Sequence, residues 1–395
     1  MKRLIFSLLL LLAIQVNAHE WLYPVAQLAN GKVLLIYQTA SADIELFSWD
    51  PVTGNADKTL ASRYTPLGVT VIPGTNSFSF IDSGRIRIKY EGKRSARALD
   101  IPMPLYGIGP VSWTKGGIGF FSAQDQENHA IYACALHTKL AQQNPVSCML
   151  QAPGIDYMYP SCTESALFYV TRQVDDRVKA HAPRCQKHAN CRCRPLDPVD
   201  AFVYSINMIQ LNEISVVCHE NMKKSEERVL VREHTVIAAQ EHPLVFLKMI
   251  SDSEGFVLEH AQVLEKEADI IIMRCNRLHK DESNTWSLTY LFSYTIPAAL
   301  VLPRSTDRMC EGFLPFVPWY ESGSIYFVDC RGGDGSEIYR YDIAIRNAEL
   351  LIKNNEARRS LITLQSNSIE RRRGTLYCAP MIIGKNLIYG GKLPE

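Results

Sequence analysis

Past the first twenty or so residues, short runs of β-branched and aromatic residues alternate with clusters of Gly, Asp, Asn, Ser and Pro, and helical periodicity is scarce. The clearest unit runs from Val317 to Ile343. Val317-Pro318-Trp319 predicts a first strand, Tyr320-Glu321-Ser322-Gly323 a turn, and Ser324 to Val328 a second strand. Arg331 to Gly335 predicts another turn, and Glu337 to Asp342 a third strand. Gly and Asp stand where a turn needs positive φ or a side-chain-to-backbone bond, while Ile, Tyr, Phe and Val fill the strands.

Looser copies of this unit recur along the chain. Val111-Ser112-Trp113-Thr114-Lys115-Gly116 precedes Ile118 to Ser122, and Ala130-Ile131-Tyr132 follow. Tyr159-Pro160-Ser161 precedes Ala166 to Val170, and after an insertion come Ala201 to Tyr204. Near the N-terminus Asn30-Gly31 precedes Lys32 to Tyr37, with Glu45 to Asp50 as third strand. Ser77 to Ile81, Asp269 to Met273 and Asn386 to Tyr389 predict further second strands.

Second strands then start at 32, 77, 118, 166, 269, 324 and 386, the first three spacings being 45, 41 and 48 residues. The 103-residue interval between 166 and 269 reads as an insertion plus an extra, degenerate half-blade. A period near 40–50 with about four strands per unit is that of propeller blades. A single four-stranded blade cannot bury both its faces; radial stacking covers them and leaves short edges. The predicted fold class is therefore all-β, a β-propeller of six or seven four-stranded blades. An irregular β-sandwich or two smaller β domains are the competing architectures.

The residues of the clearest unit carry a family resemblance. Val317-Pro318-Trp319, the turn ending in Gly323, Ile325-Tyr326-Phe327, Gly335-Ser336-Glu337-Ile338-Tyr339 and Asp342 resemble the TolB-type propeller repeat. The units around Trp113 and Tyr159 resemble it more loosely, and Glu321-Ser322 and Thr114-Lys115 stand where the repeat has Pro-Asp. The resemblance is of fold and not to TolB itself. It implies a propeller and, with it, a protein-binding role.

The ends set the expected address. Lys2 and Arg3 precede an apolar run from Leu4 to Ile14, and Val16 and Ala18 are small residues at −3 and −1 of a cleavage site. A run of that length is short of the ~20 residues a spanning helix needs. Residues 1–18 are thus read as a cleaved signal peptide, and 19–395 as a single propeller domain with a Cys/His-rich insertion at about 173–200. The expected location is periplasmic or secreted, with no membrane span after signal removal. The net charge of +1 gives no field favouring nucleic acid, and Arg371-Arg372-Arg373 reads as a solvated loop.

Eleven cysteines are permissible as disulfides in an exported chain, and the odd count leaves at least one outside any internal pairing. Cys134 with Cys148, and Cys310 with Cys330, flank turns and are candidate bridges; buried single thiols are the alternative. The insertion holds His181, Cys185, His188, Cys191 and Cys193. Thiolates and an imidazole suit tetrahedral zinc, which makes Cys185, His188, Cys191 and Cys193 the candidate metal ligands. Their spacing lacks the usual Cys-x2–4-Cys knuckle, so disulfides are the favoured reading and no cofactor is expected.

Catalytic signatures are missing: the sequence has no Gly-x-Ser-x-Gly, no His-Glu-x-x-His and no phosphate loop. His19 reads as an incidental terminal residue, and Asp175-Asp176 as one chance pair among 41 acidic residues. Trp113, Tyr159 and Trp319 are expected to fill gaps between blades rather than to stack on a ligand. The functional expectation is a non-catalytic, protein-binding scaffold of the envelope or exterior. The alternative is a propeller enzyme acting on a polysaccharide or small molecule at the central channel.

Overall fold

The computed structural model describes residues 21–38, 44–60, 64, 66–99, 105–124, 129–136, 146–174, 202–212, 233–240, 242–263, 270–297, 317–330, 337–352, 361–365, 368–372, 375–376, 381–383, 386–388 and 391–392. The expected signal peptide, His19, most of the insertion with its candidate ligands Cys185, His188, Cys191 and Cys193, the pair Asp175-Asp176, and Cys310 lie outside them.

Strands dominate, arranged in six four-stranded antiparallel meanders. Blade 1 comprises β1 (Trp21–Gln27), β2 (Val33–Gln38), β3 (Ile44–Trp49) and β4 (Ala56–Lys58). Blade 2 comprises β5 (Leu67–Val71), β6 (Phe78–Asp82), β7 (Arg85–Lys89) and β8 (Arg97–Ala98). Blade 3 comprises β9 (Ser112–Trp113), β10 (Ile118–Gln124), β11 (His129–Ala135) and β12 (Val146–Leu150). Blade 4 comprises β13 (Ile155–Cys162), β14 (Ala166–Val174), β15 (Phe202–Gln210) and β16 (His234–Gln240). Blade 5 comprises β17 (Leu244–Ser251), β18 (Glu254–Val263), β19 (Ile270–Lys280) and β20 (Trp286–Pro297). Blade 6 comprises β21 (Trp319–Glu321), β22 (Ser324–Asp329), β23 (Glu337–Asp342) and β24 (Asn347–Ile352). The fold class is that of an all-β propeller, as the repeat spacing predicts.

Six further short strands follow: β25 (Leu361–Gln365), β26 (Ser368–Arg372), β27 (Thr375–Leu376), β28 (Met381–Ile383), β29 (Asn386–Ile388) and β30 (Gly391–Lys392). β25 with β26 and β28 with β29 form two-stranded hairpins, while β30 pairs with β1 and β27 with β30. Chain beginning and chain end therefore share one sheet.

Two compact units divide the chain. One joins Met1–Pro66 to Pro315–Glu395, and the other is Leu67–Leu314. In the first, Leu22, Val33, Leu35 and Phe47 of blade 1 form a core with Met381, and Trp319 packs against it. The second holds blades 2 to 5.

Blades 2 to 5 are layered by the two-residue period of a strand. On β10, Phe121 and Ala123 face blade 2 in one core with Ile81, Ile86 and Ile88, while Phe120 faces blade 4 in another with Leu167 and Tyr169. On β14, Phe168 and Val170 turn the other way and meet Leu247 and Val257 of blade 5. Middle strands buried on both faces read as near-continuous apolar runs, which is why IGFFSAQ and ALFYV stand out in the sequence. Ring contacts reinforce these layers: Phe121 stacks on Tyr132 at 5.6 Å, and Phe168 meets Trp286 of blade 5 edge-on at 5.4 Å.

Five sequence expectations are corrected. Asp269 to Met273 belongs to β19, the third strand of blade 5; the second strand is β18. The 103-residue interval thus holds the outer half of blade 4 and the first two strands of blade 5, and no extra half-blade appears among its described residues. The strand at Asn386 forms a hairpin with β28 instead of the middle of a blade. Arg371 and Arg372, read as loop, lie in β26 opposite Ile362 and Leu361. Finally, the register sets Cys134 opposite Val146 and Cys148 opposite Tyr132, and no disulfide joins the two. Cys134 is buried in the blade 2–3 core as a small hydrophobe.

Candidate functional site

Each blade of the second unit makes a turn between its first and second strands, and the four turns have comparable chemistry. In blades 3, 4 and 5 a hydroxyl residue opens the turn: Thr114, Thr163 and Ser251. Thr114 Oγ1 accepts the N–H of Ile118 at 3.1 Å. Thr163 Oγ1 accepts the N–H groups of Ser165 at 3.3 Å and Ala166 at 3.1 Å. Ser251 Oγ accepts the N–H of Ser253 at 3.3 Å. These short side chains satisfy turn donors and hold each turn in one shape. Gly117 completes the longer blade 3 turn at φ +78°, which a side chain would strain.

The residue after each of these hydroxyls stands at the rim: Lys115, Glu164 and Asp252, with Pro73 of the blade 2 turn beside them. Together the four turns line a cavity of about 340 Å³. Its apolar part comes from Trp113, Cys162 and Ile250, at the ends of the first strands.

Side-chain bonds fix this lining from blade to blade. Trp113 Nε1 donates to Ser79 Oγ of blade 2 at 2.8 Å, and that hydroxyl lies 2.8 Å from Thr70 Oγ1. The Cys162 N–H donates to Ser112 Oγ of blade 3 at 2.9 Å, with the Cys162 thiol 3.1 Å from the same oxygen. The Met249 N–H donates to Ser161 Oγ of blade 4 at 2.8 Å. At the rim, Lys115 Nζ of blade 3 pairs with Glu164 Oε1 of blade 4 at 2.5 Å. Asp252 of blade 5 stands beside the Thr163–Ser165 turn of blade 4, whose hydroxyls and N–H act on its carboxyl.

The electrostatics follow from these partners. The Thr163 hydroxyl, then the side chain and backbone N–H of Ser165, hold the Asp252 carboxyl below the usual carboxylate range. Burial pushes the Cys162 thiol up to about 11, against a smaller opposing pull from Ser112. At neutral pH the cavity thus presents a fixed carboxylate and a protonated, weakly reactive thiol.

Of the aromatic residues singled out in the sequence, Trp113 does bridge two blades, with one edge reaching the cavity. Tyr159 packs against the blade 4–5 core and Trp319 against the blade 1 core, as core residues. Glu164, Asp252 and Ile250 carry no motif that marks them in the sequence. The signal that could have found them is position: each sits at the end of a first strand, beside the small hydroxyl residue that starts the turn.

The segment at 175–201 departs from the opposite end of blade 4. Ala166 is paired with Gln210 at the cavity end of the sheet, and Val174 with Phe202 at the other. Nine residues of strand put roughly 25–30 Å between these ends. There Asp156 Oδ2 receives Arg172 Nη2 at 2.7 Å, and Asp156 Oδ1 accepts the N–H of His129 from blade 3 at 3.1 Å. Arg172 also lies 4.9 Å over the ring of Phe202.

No family model matches the sequence, and no curated protein does. Solved structures similar to this chain include TolB proteins and a prolyl endopeptidase. At the level of fold the chain resembles TolB. TolB from Acinetobacter baumannii is 10% identical, with 85% of this chain and 64% of that chain covered and a TM-score of 0.45. A protein assigned as TolB from Agrobacterium tumefaciens is 11% identical, covers 88% and 97%, and has a TM-score of 0.42. A prolyl endopeptidase is 9% identical over 85% of this chain, with a TM-score of 0.48. This chain spans 42% of the endopeptidase and 64% of the Acinetobacter TolB, less than two thirds of either. The fold assignment rests on the six meanders themselves.

Proposed function

We propose that the chain is an exported, non-catalytic propeller scaffold that binds a segment of a protein partner in the cavity formed by the turns of blades 2 to 5. The observation that carries this reading is the convergence of four turns from four successive blades on one cavity, with charged residues at its rim and Trp113 and Ile250 inside. Polar rim around apolar floor is the anatomy of a recognition site.

The lining chemistry favours binding over catalysis. The Cys162 thiol stays protonated at neutral pH, so it is a poor nucleophile. The Asp252 carboxyl is held ionised by its hydroxyl partners, which makes it a weak general base and no acid. Side-chain bonds across the blades keep the lining rigid, and rigidity lowers the ordering cost of binding.

Export is supported by the pattern of residues 1–18, and a periplasmic or secreted location follows from it. In this reading residues 19–395 form a single propeller domain with the Cys/His-rich insertion at about 173–200. The test is affinity capture from envelope extract, before and after cross-linking, with the wild-type chain and with the double variant Thr163→Ala, Ile250→Asp. A partner enriched by the wild type and lost with the double variant, whose fold is checked by circular dichroism, supports the scaffold. Equal enrichment by both chains, or none by either, contradicts it.

A further inference from the structure

We propose that the cavity takes one basic side chain, a lysine or arginine projecting from the bound protein segment. This rests on the scaffold reading above and narrows it to a chemical class of partner.

Three ionised residues stand at the rim. Lys115 and Glu164 neutralise one another across 2.5 Å. Asp252 is different: among the described residues it pairs with no cation, and the groups acting on its carboxyl are the neutral ones of Thr163 and Ser165. Neutral groups do not cancel its charge, so the rim as formed by the described residues keeps one net negative charge. A carboxylate has about four acceptor sites, and charge-assisted bonds to a cation are the strong ones. An ammonium or guanidinium entering the cavity therefore meets a carboxylate that no cation of the described residues neutralises.

The rest of the lining suits the stem of such a side chain. Lysine and arginine carry several methylenes that prefer apolar surface while the charged head seeks a polar partner. Ile250 precedes Asp252 by two residues and lines the same cavity with Trp113. Methylenes laid along these two residues bring the head to Asp252. About 340 Å³ is near the small end of ligand cavities, enough for one long side chain with its flanking backbone.

Other ligands fit less well. An acidic side chain would compete with Glu164 for Lys115 and face the Asp252 charge at close range. A neutral apolar side chain would cover Asp252 and strip its water without replacing it. Lys115 has a definite role in this scheme: it is the resident cation at the rim, and its removal deepens the negative potential. The Cys162 thiol and Glu164 are the other titratable groups facing the entering cation.

The experiment titrates the full mature chain with three capped peptides, acetyl-Gly-X-Gly-amide with X as lysine, norleucine or glutamate, by NMR shift perturbation. The lysine peptide is expected to saturate, and the norleucine and glutamate peptides to bind about tenfold more weakly or not at all. Asp252→Asn, which removes the charge at an exposed position and keeps the side-chain shape, should weaken lysine-peptide binding about tenfold. Lys115→Ala should tighten it roughly two- to fivefold, the range expected of one exposed charge. Norleucine binding equal to lysine, preferred glutamate binding, or weaker lysine binding by Lys115→Ala each overturns the proposal and leaves the scaffold reading standing. Failure of all three peptides to bind also overturns it, and the capture experiment then decides the scaffold reading separately.

Discussion

The Ser161 hydroxyl oxygen accepts the backbone N–H of Met249 at 2.8 Å, joining the first strand of blade 4 to that of blade 5. The register of β17 on β18 shifts between Met249 and Ser251, so at this point the neighbouring blade supplies the acceptor. Ser112 does the same one blade earlier for the N–H of Cys162. These first strands make no ladder with one another, and single side-chain bonds set how they meet around the cavity. Ser161 is buried, so Ser161→Ala leaves a buried donor unmade and should cost about 1–3 kcal/mol of stability. Ser112 is only half-buried, and Ser112→Ala should cost less, about 0.5–1.5 kcal/mol. Urea denaturation of the two variants checks the order.

Gly119 and Gly255 are required for steric reasons and not for unusual dihedrals. A Cβ at Gly119 would lie 2.6 Å from both the Trp113 ring and Val111 Cγ1. At Gly255 it would lie 2.5 Å from Met249 Sδ and 2.8 Å from the backbone oxygen of Lys248. Either alanine overpacks a finished core, at about 1–3 kcal/mol. Gly119→Ala should also break the Trp113–Ser79 bond, seen as altered tryptophan emission, whereas Gly255→Ala should destabilise without that signature.

The same glycine shows where the sequence misleads. β18 begins Glu254-Gly255, with its glycine inside the strand, so the turn pattern that marks β10 and β22 points to the wrong place and the reading slips one strand to β19. Elsewhere the period-2 code is legible because middle strands are apolar on both faces: Ile118, Ala166 and Ser324 were placed to the residue. The propeller spacing was equally open to reading. The cavity was not. Its residues are scattered over some 180 positions of chain, from Pro73 to Asp252, and only the stacking of blades brings them together. The Cys/His cluster is conspicuous in the sequence, but it lies outside the described residues.

The Cys162 thiol should be slow to react. Raised to about 11, it is ionised at pH 8 roughly a hundredfold less than a thiol at its ordinary 9.0. Iodoacetamide labelling followed by peptide mapping should show a rate rising about tenfold per pH unit up to pH ~11. A rate at pH 8 equal to that of a small-molecule thiol would show the cavity floor to be open.

Asp252 sets the acid limb of the site. Its carboxyl sits below the ordinary 3.8, so the stability from its bonds to Thr163 and Ser165 is full above the unfolded value and is lost as pH falls through the lowered folded one. The melting-temperature difference between wild type and Asp252→Asn should therefore be constant from pH 7 to pH 5 and shrink towards pH 3. A difference that persists unchanged at pH 3 would remove the hydrogen-bonded carboxylate from the account.

The binding role of the cavity is tested most directly by photo-crosslinking in cells that export the chain. A benzophenone amino acid is placed at Pro73 on the rim and, as a control, at Val52, which is 93% exposed in the other unit. The account predicts a discrete protein adduct from position 73, lost when Asp252 is changed to Asn and absent from position 52. The same adducts from both positions, or none from position 73, would contradict it.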